Sequence, residues 1–247
     1  MNPSVCAVIP ARYASTRFPG KMLADLNGKP LIQRVWEQVR SARRISRILI
    51  ATDDERIRAA VQGFGGEAVM TDPALPSGTD RVAVATRGLS VDWVLNVQGD
   101  EPLITGEVLD GFIGALGDCP MATMARRITD PAAITDPNVV KVVMDLSGRA
   151  LYFSRSPIPH VRDAGDRADY WHHLGIYVYR PEILQKLVQW PPSPLEVAEK
   201  LEQLRALQNG VAVQVVPTSV ESIGVDRPED MQRVAAILME KAGRSQG

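Results

Sequence analysis

A long basic loop follows the first apolar run of the sequence. Val5–Pro10 has the composition of a short buried strand, and the next stretch, 11–21 (ARYASTRFPGK), contains three cations, two aliphatic hydroxyls and one glycine before the first acid, Asp25. Such cations can offset the charges of a polyphosphate, and backbone N–H groups of an irregular loop can meet its oxygens. The loop therefore predicts a polyphosphate site. A loop that is basic by chance is the alternative.

Two acids that lie far apart in the chain are candidate site residues. Asp100, in NVQGDEP, follows the apolar run Trp93–Val97, at the position where a strand of an α/β sheet opens into the ligand crevice. A carboxylate there can hold magnesium, which prefers oxygen ligands, although a turn before Pro102 explains it equally well. Asp226, in GVDRPED, precedes a predicted helix, and taken alone it is better explained as the N-cap of that helix.

Motifs of several other chemistries are absent from the sequence. No GxGxxG follows the first strand and no GxxxxGK[ST] occurs, which disfavours a standard dinucleotide fold and a P-loop. The histidines lack metal spacing, the cysteines are far apart, and no GxSxG presents a serine nucleophile. Direct attack by a group of the substrate fits what remains. The histidines are His160, His172 and His173, and the cysteines, which we interpret as small core residues, are Cys6 and Cys119.

Strand-like and helix-like segments alternate over the first hundred residues. Each apolar run is followed by a segment in which apolar residues recur at helical spacing, which is the pattern of βαβ units. The sequence therefore predicts an α/β fold with a mainly parallel sheet and helices on both faces. The predicted strands are Val5–Pro10, Arg47–Ala51, Glu67–Thr71 and Trp93–Val97, and the predicted helices end near residues 43, 62 and 87.

The pattern changes after about residue 120. Short strand-like runs with short connections replace the alternation, and DLSGR at 145–149 has the composition of a hairpin turn. We expect a mixed, partly antiparallel segment here and a smaller lobe over 120–180 that forms a dimer surface, within a single domain spanning 1–247. The predicted strands are 121–128, 139–145, 150–153, 172–179 and 211–216, and the predicted helices are 181–189, 194–208 and 228–241.

Composition is that of an ordinary globular protein. Of the 247 residues, 45% are hydrophobic and 23% charged, and the formal net charge is -1. No apolar run reaches the roughly 18 residues of a membrane span and the N-terminus lacks the features of a signal peptide, so we expect a cytoplasmic protein. The near-zero net charge argues against a nucleic-acid partner. Residues 1–50 nevertheless carry nine cations against two acids, which favours an anionic ligand there.

Longer motifs follow one another along the chain: PARYASTRFPGKML at 10–23, SGTDR at 77–81, NVQGDEP at 96–102, NVVKVV at 138–143, LYFSRSPIP at 151–159, HLGIY at 173–177, PSPLE and LEQLR between 192 and 205, and GVDRPED at 224–230. Together they resemble the family of 3-deoxy-manno-octulosonate (Kdo) cytidylyltransferases, also called CMP-Kdo synthetases. The resemblance implies a Rossmann-like nucleotidyltransferase fold, a homodimer, and magnesium-dependent transfer of a cytidylyl group from CTP to Kdo ahead of lipopolysaccharide assembly. The anomeric hydroxyl of Kdo would attack the α-phosphorus in line.

The resemblance also implies roles for residues at the matching positions. The nucleotide and metal ligands implied are Arg12 and Lys21 for the CTP phosphates, Ser77 and Arg81 along the nucleotide, and Asp100 and Asp226 for magnesium, with Arg12, Lys21 and Asp100 as the catalytic residues. The implied ligands of the sugar acid are Gln98, Arg155, His173, Glu202 and Gln203. A structural arginine is the competing interpretation of Arg155. Asp80 stands where glutamate is common in the family, which leaves the role of its carboxylate open.

Three other functions fit parts of the sequence. The basic loop would serve a nucleotidyltransferase for 8-amino-Kdo or a sialic acid equally well. A Rossmann oxidoreductase is disfavoured by the missing GxGxxG, and a nucleotide-binding regulatory protein by the two acids and the sugar-side motifs.

For the loop itself we expect Lys21→Ala to weaken CTP binding with little change in fold stability, because a cation on an irregular loop has few core contacts.

Overall fold

The chain folds into two compact units. The first contains residues 1–111 together with 221–247, and the second contains 112–220. A computed structural model describes residues 3–14, 17–163, 165–220 and 223–244, with the backbone alone for 241–244. Ser15 and Thr16, the aliphatic hydroxyls of the basic loop, lie outside the described residues. A single domain over 1–247 and a dimer surface within 120–180 stay predictions.

A parallel sheet forms the centre of the first unit. Its strand β1 (Val5–Ala11) is buried at every position, as its apolar sequence predicts. It pairs on one side with β2 (Arg47–Thr52) and on the other with β4 (Trp93–Asn96), and β3 (Glu67–Met70) pairs with β2, all in parallel. The predicted parallel α/β arrangement is confirmed. Because parallel strands end at the same edge, the loops after β1 and β4 leave the sheet side by side.

Helices of the first unit begin where the sequence offers suitable residues. α1 (Leu31–Arg40) follows Pro30 and buries one apolar face. α2 (Glu55–Gly63) begins after Asp54, whose carboxylate accepts a hydrogen bond from the Arg56 N–H, and α3 (Gly78–Ala85) begins after Ser77. The C-terminal helix, which we number α9 in chain order, spans Pro228–Arg244 and packs Met231 and Val234 against the core.

Mixed pairing characterises the second unit, as predicted. β5 (Met121–Arg127) pairs antiparallel with β8 (Trp171–Tyr179) and parallel with β9 (Val213–Pro217). β6 (Lys141–Met144) and β7 (Ala150–Ser154) form an antiparallel hairpin, and β6 also pairs with β8. The hairpin turn lies at the predicted place: Asp145 donates its N–H to the Arg149 carbonyl, and Gly148 has the positive φ of 81° that glycine tolerates.

The helices between residues 106 and 208 depart from the sequence prediction. α4 (Gly106–Gly114) and α5 (Pro131–Thr135) were not predicted, and α4 contains three glycines, which weaken the helical signal. α6 (Pro181–Leu187) agrees with the prediction. The single helix predicted over 194–208 is wrong: α7 (Pro194–Glu199) and α8 (Gln203–Gln208) are separate, because Lys200 adopts a left-handed φ of 55° that ends α7.

The cysteines differ in environment. Cys6 and Cys119 are both free thiols. Cys6 lies buried in β1, and burial raises the pKa of its thiol to about 11. Cys119 is only half-buried, so the interpretation as a core residue is confirmed for Cys6 and wrong for Cys119. Among the described helices none is long and apolar enough to cross a bilayer.

Candidate functional site

A polar cavity of about 420 Å³ lies in the first unit at the carboxyl ends of β1 and β4. The loop after β1, the loop after β4 and the segment before α9 contribute its walls. Of the residues predicted for the site, five line this cavity: Arg12, Lys21, Gln98, Asp100 and Asp226. Arg17 and Gly78 line it as well. The structure thus brings the basic loop and both candidate acids together in one place.

The backbone of the basic loop fixes Lys21. Gly20 has a φ of 72°, a conformation in which a residue with a side chain would be strained. It donates its N–H to the Tyr13 carbonyl. A short 3-10 helix, Lys21–Leu23, begins directly after this glycine. The Arg56 guanidinium stacks on the Tyr13 ring, 3.4 Å from its centroid, and so ties the loop to α2. Lys21 therefore projects from a turn that is anchored on both sides.

The ammonium group of Lys21 is buried between the two acids. Its Nζ lies 2.6 Å from Oδ2 of Asp100, 3.5 Å from Oδ1 of Asp226 and 2.9 Å from the Val225 carbonyl oxygen. Only 9% of the Lys21 side chain is exposed, against 27% for Asp100 and 47% for Asp226. The expectation that Lys21 has few core contacts is therefore wrong, because its ammonium group is buried and contacts both carboxylates.

Backbone contacts explain how residues 126 positions apart in the chain meet. Val225 donates its N–H to the Asp100 carbonyl at 2.8 Å, which joins the two segments beside their acids. Gly99 lets the loop after β4 pack closely against the end of β1, because a Cβ there would lie 2.9 Å from the Pro10 carbonyl oxygen. The helix-cap interpretation of Asp226 does not match the structure. Asp230 accepts the backbone N–H groups of Asp226 and Arg227, directly before α9, while the Asp226 carboxylate pairs with Lys21 and Arg17.

Arg17 is a site residue that the motif comparison did not single out. Its Nη2 lies 3.1 Å from Oδ2 of Asp226, and 60% of its side chain is exposed to the cavity and solvent. The signal available in the sequence was its place between Arg12 and Lys21 in the basic loop. Arg12 lines the same cavity, is exposed, and has no hydrogen bond or ion pair to any described residue.

The carboxylates of this cavity suit a magnesium ion that is bound together with substrate phosphates. No group of three or more histidine, cysteine or acidic side chains gathers in the described part of the chain, so a metal site made by protein side chains alone is absent there. Magnesium commonly takes one or two carboxylates and completes its octahedron with water and substrate phosphates. Asp100 and Asp226, held at one ammonium group, supply that number of carboxylates. The residues present therefore fit the ion.

Ser77 and Asp80 form the N-terminal cap of α3. The Ser77 hydroxyl accepts the Asp80 N–H at 3.1 Å and donates to Oδ2 of Asp80 at 2.6 Å. In this pairing the Asp80 carboxylate has a local role. The aspartate side chain, although shorter than that of glutamate, is long enough to reach the Ser77 hydroxyl. The adjacent Gly78 lines the cavity, so the cap holds the start of α3 at the cavity wall.

Arg81 is not among the described residues that line the cavity. Its side chain is fully buried, and Nη2 pairs with Oδ2 of Asp53 at 2.7 Å, while Nη1 bonds the Thr71 hydroxyl at 2.6 Å. Burial lowers the pKa of Arg81, with the neighbouring Arg12 acting in the same direction and Asp53 opposing both. Contact of Arg81 with a nucleotide stays a prediction.

We expect Arg81→Met to reduce the free energy of unfolding by about 3 kcal/mol, because it leaves the largely buried Asp53 carboxylate without its partner. Urea denaturation measures this loss. Arg58→Met is the matched control, since the Arg58–Glu55 pair on α2 is exposed and should contribute less than about 1 kcal/mol. Unchanged stability together with lost CTP affinity would instead make Arg81 a nucleotide ligand.

Arg155, predicted to meet the sugar carboxylate, is held by backbone carbonyls in the second unit. Its Nε donates to the Glu199 carbonyl at 2.8 Å and its Nη1 to the Pro137 carbonyl at 2.9 Å. Its own N–H donates to the Glu199 carboxylate. These contacts match the competing, structural interpretation, since they join the hairpin strand β7 to the end of α7.

The other three residues predicted for the sugar acid lie at β8 and the start of α8 in the same unit. His173 is 8% exposed, and its Nε2 lies 3.1 Å from the Thr123 hydroxyl. Gln203 is 5% exposed, and its Nε2 has no hydrogen-bond partner among the described residues. A buried amide without a partner is costly, which suggests that Gln203 meets a ligand or water. Glu202 immediately precedes α8.

His173 gives the stability of the protein a pH dependence. Burial, with a smaller contribution from the charge of His172, lowers the pKa of His173 from 6.5 to about 3. Between these values the unfolded chain binds a proton that the folded chain does not. The contribution of His173 to the free energy of unfolding is therefore fully present above about pH 6.5. It decreases as the pH falls below that value, by roughly 1.4 kcal/mol per pH unit.

We expect unfolding experiments in urea to show about 2 kcal/mol less loss of stability between pH 6.5 and pH 5 in His173→Gln than in the wild type. His160→Gln should keep the wild-type slope, because His160 is exposed. Equal slopes in all three proteins would contradict the prediction.

Known proteins resemble this chain over nearly its whole length. The model of the family described as Cytidylyltransferase matches residues 6–222. A protein of Geobacter sulfurreducens named 3-deoxy-manno-octulosonate cytidylyltransferase is 49% identical, covering 94% of this chain and 98% of its own. A protein of the same name from Cytophaga hutchinsonii is 47% identical, over 94% of this chain and 97% of its own.

A solved structure gives the same result. The structure of CMP:2-keto-3-deoxy-manno-octonic acid synthetase complexed with CTP matches with a TM-score of 0.92 and 40% sequence identity. The match covers 96% of this chain and 99% of that chain. Both units of the present chain therefore have counterparts in a protein of known structure.

Proposed function

The chain belongs to the family of 3-deoxy-manno-octulosonate cytidylyltransferases, and we propose that it transfers a cytidylyl group from CTP to Kdo with release of pyrophosphate. The observation that carries the proposal is the polar cavity in which Asp100 and Asp226 meet Lys21 beside two further cations. The product, a nucleotide-activated sugar acid, would serve lipopolysaccharide biosynthesis. The relatives' names favour Kdo over a sialic acid as the acceptor.

The cations of the cavity bind the triphosphate. Among the described residues Arg12 has no side-chain partner and Arg17 has one, the half-exposed carboxylate of Asp226, so both guanidinium groups can turn to phosphate oxygens at little cost. Lys21 adds a third positive charge from the buried side. Their combined charge stabilises the developing charge of the transition state, and no protein nucleophile is required.

Asp100 and Asp226 are the residues that would hold a magnesium ion at the triphosphate. When bound, the ion neutralises phosphate charge and favours the ionised form of the attacking sugar hydroxyl. The protein contributes the position of the two carboxylates, which the Val225–Asp100 backbone hydrogen bond fixes. Lys21 holds both carboxylates close together before the substrate arrives.

Gln98, Arg155, His173, Glu202 and Gln203 are proposed to serve the sugar acid. The unpartnered amide of Gln203 supports this assignment most directly, because a buried donor gains a full hydrogen bond from a ligand. To meet the sugar carboxylate, Arg155 would have to release the backbone carbonyls to which its Nε and Nη1 donate. We further propose a homodimer that acts in the cytoplasm, without a nucleic-acid partner.

Pyrophosphate release tests the proposed function. The purified protein is incubated with magnesium and each of CTP, ATP and GTP, against a panel of Kdo, 8-amino-Kdo and a sialic acid. We expect release only with CTP, and with Kdo as the best acceptor. Preference for 8-amino-Kdo or the sialic acid would establish the related nucleotidyltransferase instead, and equal release with all three nucleotides would contradict the proposal.

A further inference from the structure

The hydroxyl of Thr123 is the centre of a buried hydrogen-bond cluster in the second unit. Thr123 is fully buried in β5, and its Oγ1 lies 3.0 Å from the Leu174 carbonyl oxygen, 2.8 Å from the Ile176 carbonyl oxygen and 3.1 Å from Nε2 of His173. The pairing of β5 with β8 shifts register between Thr123 and Met124. This irregularity directs two carbonyls of β8 at one hydroxyl.

The cluster determines where the proton of His173 resides. A hydroxyl has one hydrogen to donate, whereas carbonyl oxygens only accept. If the Thr123 hydroxyl donated to His173, both carbonyl oxygens would face the hydroxyl oxygen with no hydrogen between them. The hydroxyl therefore donates to a carbonyl and accepts from the ring, which requires the proton on Nε2.

The opposite ring nitrogen of His173 is then a hydrogen-bond acceptor. Edge contact with the Phe153 ring, at 5.0 Å between centroids, and a tilted contact with the Tyr177 ring, at 5.4 Å, hold the imidazole in place. Burial keeps the pKa of the imidazole at about 3, so the ring is neutral at physiological pH. No residue in the described ranges hydrogen-bonds Nδ1, which leaves that lone pair for a ligand.

We propose that Thr123 is a positioning residue for the reaction: it holds His173 with its proton on Nε2, so that Nδ1 accepts a hydrogen bond from a hydroxyl group of the sugar acid. The chemistry specifies the partner, because a lone pair attracts a hydroxyl hydrogen and repels a carboxylate. His173 thus recognises the polyol part of the acceptor and not its carboxylate. The inference rests on the proposed function, which assigns His173 to the sugar acid.

The tautomer of His173 is measured without any substrate. Long-range ¹H–¹⁵N spectra of the full-length protein with ¹⁵N-labelled histidine distinguish a protonated from an unprotonated ring nitrogen, and His173→Gln assigns the signal. We expect the wild type and Thr123→Ser to carry the proton on Nε2. Thr123→Val, which keeps the shape but lacks the hydroxyl, should move the signal towards a mixture of tautomers.

Steady-state kinetics connect the tautomer with the sugar acid. Thr123→Val should raise the KM for Kdo about 5- to 10-fold, as expected for one lost hydrogen bond, and leave the KM for CTP unchanged, while Thr123→Ser restores the wild-type value. A wild-type His173 protonated on Nδ1 would overturn the proposal even if Thr123→Val failed to fold. A shifted tautomer with an unchanged KM for Kdo would overturn it as well. A wild-type protein without turnover would instead count against the proposed function, which the tautomer spectra do not involve.

Discussion

We expect each of two variants, Asp100→Asn and Asp226→Asn, to reduce turnover by about 10²- to 10³-fold. The activity that remains should require more magnesium. Asparagine keeps an oxygen ligand but removes the charge that balances the ion and the phosphates. Both side chains contact Lys21, so we expect them to act as a unit. The double variant should therefore be little slower than the slower single variant.

The measurement is the rate of pyrophosphate release against magnesium concentration for the two single variants and the double variant. Asp130→Asn is the matched control, because Asp130 caps α5 in the second unit and asparagine caps about as well as aspartate. Wild-type activity and metal dependence in Asp226→Asn would remove Asp226 from the metal site. Independent, multiplying losses in the double variant would mean that the two acids do not share one ion.

Lys21→Met should affect both nucleotide affinity and stability. Loss of one charge-assisted contact weakens CTP binding by roughly 1.5–3 kcal/mol, or about one to two decades in affinity. The variant also leaves two neighbouring carboxylates to repel each other and the Val225 carbonyl without its donor. We therefore expect the free energy of unfolding to fall by about 1–3 kcal/mol, which replaces the small effect predicted from the sequence.

Isothermal titration with CTP and urea denaturation measure the two effects. Lys29→Met serves as the control, because Lys29 pairs with Glu37 at 2.7 Å, is 40% exposed and does not line the cavity. Lys21→Met with wild-type CTP affinity would make Lys21 purely structural. Weakened binding with unchanged stability would show instead that water replaces the ammonium between the carboxylates without cost.

Sequence patterns determined the parts of this protein that depend on neighbouring residues. The runs at Val5–Ala11 and Trp93–Asn96, apolar except for Asn96, specify buried strands because their apolar side chains need to leave water. Ser77 specifies the start of α3 because its hydroxyl accepts an N–H group of the first turn, that of Asp80. The ordered set of separated motifs likewise indicated the family, whereas the basic loop alone fits several nucleotidyltransferases.

Tertiary structure alone decided which chemistry those residues share. Lys21 meets Asp100 across 79 positions and Val225 across 204, and no local pattern records such contacts. The same holds for Asp226, since Asp230 and not Asp226 accepts the N–H groups in front of α9. It also holds for Thr123, whose three hydrogen-bond partners lie at one irregularity of β8. Local preference follows from hydrogen bonds within a turn, whereas burial and ion pairing follow from the packing of distant segments. The sequence could therefore name candidate residues, but only packing made Lys21 a buried partner of both acids.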